Sequence, residues 1–200
     1  FNKSRKNKKG VLIVLIIIFA IGIIGAINGN KDDSDSSSDS TSTIASASTL
    51  DKQQAGELDK QVWGQVIQVI NINNEIMKGM TGYSDGTVSD VDLYDYCKKA
   101  SDTLGSLSVS YPKVKDKNAK QYIDSCSTFT LYAQSVAQSL MKYLDKGGVE
   151  ELSKVKENIG RVTDGASVVT NNRVVFLQLA GYTEDEIKAL AEEVDEQVNE

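Results

Sequence analysis

The chain has 200 residues, no histidine and a formal charge of −6, from 22 Lys and Arg against 28 Asp and Glu. Without histidine the commonest general base and zinc ligand are gone, with every Ser–His or Cys–His nucleophile, and neither a Gly-rich phosphate loop nor a zinc spacing occurs. The acidic balance excludes a nucleic-acid binder, which needs a basic face to displace counterions, so the sequence assigns no catalytic residue, no metal ligand and no cofactor.

In chain order, residues 1–9 form a basic tip carrying Lys3, Arg5, Lys6, Lys8 and Lys9 with no acid among them. Residues 10–27 hold no charge, and Val11–Ile27 is almost wholly apolar on all sides. Eighteen residues at a helical rise span about 27 Å, close to the hydrocarbon thickness of a bilayer, which predicts a single transmembrane helix. A cleaved leader has an apolar region of about 7 to 15 residues and a small-x-small site. Here the run is longer, and Ile24 would occupy the −3 position for cleavage after Ala26. Five of the basic residues precede the span, leaving 17 against 28 acids after it. Positive charge stays inside, so the expected topology is a cytoplasmic N-terminus and an extracellular C-terminal domain, with membrane lipid as the partner of the N-terminal helix.

Residues 28–49 are Ser, Thr and Asp with almost nothing apolar, the composition of a tether that cannot offset its own ordering entropy. Its random-coil reach is about 25 Å. Residues 50–200 carry only Pro112 among many helix formers, which predicts an all-α domain. The first helix is expected from Leu50 to Met80 on the stripe Leu58, Val62, Val66, Val69, Ile76 and Met80, broken by the glycine-bearing 81–89 stretch. Ser89 caps a second helix with Asp90 and Asp92 in its first turn, ending near Tyr111-Pro112. A third is expected from Lys113 to Lys146, stopped by Gly147-Gly148. The fourth alternates steps of three and four through Leu152, Val155, Ile159, Val162, Ala166, Val169, Arg173, Phe176 and Ala180, the seam of a coiled-coil-like bundle. Thr183 to Glu186 is a capping box opening a fifth helix that runs to about Asn199. The sum is an up-and-down antiparallel four-helix bundle with an additional short C-terminal helix.

Two constellations stand out. Cys97 and Cys126, the only cysteines, lie on facing stripes at equal distance from the Tyr111-Pro112 turn, which predicts a structural disulfide in an oxidising compartment. Arg173 sits in the core seam of the fourth helix and needs a carboxylate or a bound anion; counting back from the helix ends places Glu57 opposite it. The arrangement of basic tip, span, tether and exported helical domain is similar to that of many Gram-positive surface proteins, a generic likeness carried by no motif. It implies a non-catalytic interaction or structural role at the bacterial envelope, with an unidentified envelope protein as partner. The alternative is a sensory or small-ligand-binding bundle similar in outline to chemoreceptor domains, although no second span follows Ile27.

Overall fold

The computed structural model describes residues 49–190. The basic tip, the apolar run and all but the last residue of the tether lie outside them, as does the end of the last helix. Among the described residues no helix is long and apolar enough to cross a membrane.

The described chain is helical throughout, with no strand among its residues: α1 Lys52–Asp85, α2 Asp90–Ser110, α3 Lys117–Lys146, α4 Val149–Leu179, and α5 from residue 184 through 190. The first four pack as an up-and-down-like four-helix bundle. The core of α1 is the stripe Ala55, Asp59, Val62, Val66, Val69, Asn73, Ile76, Met80 and Tyr83, which steps by four and three without a break. That regularity explains why α1 runs five residues past the expected end. Tyr83 extends the seam into the 81–85 stretch and is buried, and the helix stops only at Gly86, whose φ of 89° is the left-handed conformation that glycine adopts without a Cβ penalty. Ser89 caps α2 as expected, its side chain accepting from the Asp92 amide, and α1 opens after Asp51, which forms a capping box with Gln54. Asp116, rather than a residue near Lys113, caps α3 through the Ala119 amide at 2.8 Å.

Small residues set how closely the helices approach. Gly165 of α4 lies under Phe129 and Tyr132 of α3, where an added Cβ would stand 3.2 Å from Tyr132. The α3–α4 hairpin folds almost symmetrically about Gly147-Gly148: Asn158 donates to the Ser135 carbonyl and Gln121 to Asn172.

The α2–α3 pair has a different register. Ser127 donates to the Ser108 carbonyl at 2.8 Å and Gln134 to the Ser101 carbonyl at 3.0 Å, so the two helices fold about residues 117–118 and not about Tyr111-Pro112. Residues 111–116 form a non-helical link, and the first two turns of α3 overhang the end of α2. This stagger corrects the expected disulfide. Cys97 stands level with Gln138, about a dozen residues or roughly 18 Å of helix axis from Cys126. Both are free, fully buried thiols. Such a separation is far beyond the Cα–Cα reach of a disulfide, about 7 Å. Burial pushes the Cys97 thiol up to about 12 and Cys126 further still, which keeps both protonated and inert.

Candidate functional site

The buried polar centre of the bundle is built around Arg173, 4 % exposed. Its partner is Asp59, not Glu57. Arg173 donates from Nε to both carboxylate oxygens of Asp59, at 2.8 and 3.1 Å, and from Nη2 to Oδ2 at 2.7 Å. Tyr122 of α3 donates its hydroxyl to the same carboxylate at 3.1 Å. The indole of Trp63, one turn along α1, lies 4.2 Å from the guanidinium carbon, a cation–π distance. Phe176 of α4 stacks on Tyr122 with ring centroids 5.7 Å apart. Glu57 is exposed and accepts from Gln53. Two residues on a helix are about 200° of rotation, so a carboxylate at 57 faces water when one at 59 faces the core.

The electrostatics follow from closure. Burial alone would lower the basicity of Arg173, but the hydrogen bonds and charge of Asp59 more than offset it and hold the guanidinium above its ordinary value. Burial, then the adjacent Asp59 charge, pushes the Tyr122 phenol well up, so it remains a donor. Asp59 and Tyr122 are fully buried. The charges of Asp59 and Arg173 are spent on each other. Helix α5 closes this end of the bundle: Tyr182 donates to the Lys52 carbonyl at 2.9 Å, Ile187 is buried, and Glu186 pairs with Lys52 at 2.6 Å.

Asp59 is a polar step in an otherwise apolar stripe, which hides it from a hydrophobic pattern, although stepping back from Val62 by three and four lands on Asp59 and Ala55. Asn73 occupies the same stripe, is fully buried, and neither polar atom of its side chain meets a protein partner among the described residues. Away from the core, a cleft of about 300 Å³ between α3 and α4 is lined by Ser135, Gln138, Lys142, Lys154, Asn158 and Arg161. Lys154 is taken by Glu150 and Glu151 and Arg161 by Glu157, which leaves Lys142 without an ion pair among the described residues. No group of three or more His, Cys, Asp or Glu side chains converges as metal ligands among the described residues.

The fold is an all-α bundle with a buried Asp59–Arg173 ion pair in its core. No family model, curated protein or solved structure matches this chain.

Proposed function

We propose that this chain is a single-pass membrane-anchored protein that holds a helical bundle outside the cell, where it serves a non-catalytic interaction or structural role at the bacterial envelope. The observation that carries the reading is the charge division of the sequence: a wholly basic tip, 18 uncharged residues and an acidic remainder. The closed Asp59–Arg173 centre supports the non-catalytic half, since its charged groups are consumed by one another and by Tyr122. A small-ligand-binding role is the second reading, and the feature that favours it is the polar cleft around Lys142 rather than Arg173.

Fractionation of a bacterial host expressing the full chain tests the anchor. The chain is expected in the membrane pellet after an alkaline wash and in solution only with detergent. Leu15→Asp with Ile18→Asp should release it, since each acid costs about 2.5 to 3.5 kcal/mol at the centre of a span. Release of the unaltered chain by the wash, or a mature chain that begins near residue 27, contradicts the reading. For the second reading, small carboxylates or phosphates should raise the Tm, and Lys142→Gln should abolish the rise; no shift with any of them removes it.

A further inference from the structure

Every exposed charge between Val109 and Ile123 is a lysine: Lys113, Lys115, Lys117 and Lys120. The single acid in that stretch, Asp116, is buried and already accepts from the Ala119 amide and from Thr49. Lys120 pairs with Asp124 one turn on. Apolar side chains are interleaved with the lysines. Val109 is 81 % exposed, and Pro112, Val114 and Ile123 line a groove of about 550 Å³ beneath the 111–116 link. Basic and apolar groups sharing one exposed face is the composition of a surface that meets anionic headgroups.

Two further observations point the same way. The first turns of α2 and α4 carry Asp90 and Asp92, and Glu150 and Glu151, whereas those of α1 and α3 carry no acid and begin with Lys52, which Glu186 pairs, and Lys117. Lysine at a helix N-terminus opposes the macrodipole, and Lys117, unlike Lys52, has no ion pair among the described residues. The position is also specific. Thr49, the last residue of the tether, donates its amide to Asp116 at 2.7 Å and its hydroxyl at 2.9 Å. The chain arriving from the apolar run therefore joins the bundle beside this patch.

We propose that the 109–120 face docks on the anionic headgroups of the same membrane that the N-terminal run spans, a proposal that rests on the anchor reading above. The lysine ammoniums pair with headgroup phosphates, and Val109 and Val114 enter the headgroup boundary. Asp124, an exposed acid on the same edge, is paired with Lys120, and Glu186 on the α1–α5 side is paired with Lys52, so the bundle meets the surface on its lysine-rich α2–α3 edge. The tether makes the contact intramolecular, so weak individual attractions suffice. Each lysine contributes about a fivefold factor, and removing three should weaken docking about a hundredfold.

The test uses the full chain reconstituted in vesicles, with an environment-sensitive probe on Val109→Cys or on Val149→Cys at the other end of the bundle. Cys97 and Cys126 are buried and stay unlabelled in the folded protein. Vesicles are phosphatidylcholine alone or an equal mixture with phosphatidylglycerol, each containing a headgroup-quencher lipid. The Val109 probe should be quenched only in the anionic vesicles, and the Val149 probe in neither. Quenching should vanish with Lys113→Gln, Lys115→Gln and Lys117→Gln together, and in about 1 M salt, where the screening length falls to about 3 Å. A chain that survives an alkaline wash on the vesicles but shows no quenching, or equal quenching on both lipids, overturns docking and leaves the anchor standing. A chain washed from both vesicle types overturns the anchor, and the docking proposal with it.

Discussion

Replacing Arg173 with Met leaves the Asp59 carboxylate in a dry core with a single remaining donor, the Tyr122 hydroxyl. Asp59 is 0 % and the Arg173 side chain 5 % exposed, so water screens neither group and neither can turn outward to solvent. Breaking a buried pair from one side costs about 3 to 5 kcal/mol, because the surviving charge keeps its desolvation penalty and loses its partner. For a domain of this size that lowers Tm by about 10 to 15 °C. Asp59→Leu should cost a similar amount by stranding the guanidinium. The double replacement removes both penalties and fills the volume with apolar atoms, so it should return to within about 1 kcal/mol of the unaltered protein or exceed it. Urea unfolding of the four proteins, followed by helical circular dichroism and by Trp63 fluorescence, measures the cycle. Trp63 is the only tryptophan and lies against the guanidinium, so it reports the centre directly. Single replacements costing under about 1 kcal/mol, or a double costing the sum of the two, would refute a closed and mutually dependent pair.

Three other outcomes follow from the same geometry. Asn73→Leu replaces two unpartnered polar atoms with an apolar group of similar volume and should stabilise the bundle by about 1 to 3 kcal/mol; a loss of stability on urea unfolding would show that Asn73 is satisfied. Reductant should leave Tm unchanged, because a disulfide closing this loop would contribute about 3 to 4 kcal/mol; a fall on reduction would restore the cross-link that the α2–α3 stagger excludes. In alkali, burial raises the Cys97 thiol, and burial first and neighbouring charge second raises Tyr96 and Tyr143, each to about 12. The unfolded chain gives up these protons from about pH 9 upward, so the native state binds more protons over the window to about pH 12. The stabilisation is complete below that window and is lost as pH rises through it. A urea midpoint that stays flat from pH 8 to 11 contradicts this.

The helices were legible because their core stripes are long and regular, and α4 carried the clearest one. Boundaries were harder where a local signal competed with the seam. Gly82 and Gly86 in the 81–89 stretch suggested a stop for α1 near Met80, but Tyr83 extends the buried stripe past Gly82 and only Gly86 ends the helix. The Tyr111-Pro112 pair marked the end of α2 correctly and said nothing of how far α3 would be displaced. That displacement rests on long-range contacts such as Ser127 to Ser108, which no local pattern encodes, and it separates the two cysteines. Arg173 was visible as a misfit in an apolar seam. Its partner was missed because the rotation between positions 57 and 59 outweighs nearness in height. The four lysines from Lys113 to Lys120 stand in the sequence as composition, but only the meeting of Thr49 with Asp116 places them beside the arriving tether.

The central claim is an outward-facing bundle on a membrane anchor, and a single cysteine at Val149, 85 % exposed at the end away from Thr49, tests it most directly. Intact cells carrying Val149→Cys are treated with a membrane-impermeant maleimide. The expected result is labelling of the substituted chain without lysis and none of the unaltered chain, whose two thiols react only on denaturation. Labelling that requires a broken membrane would place the bundle inside the cell and contradict the account.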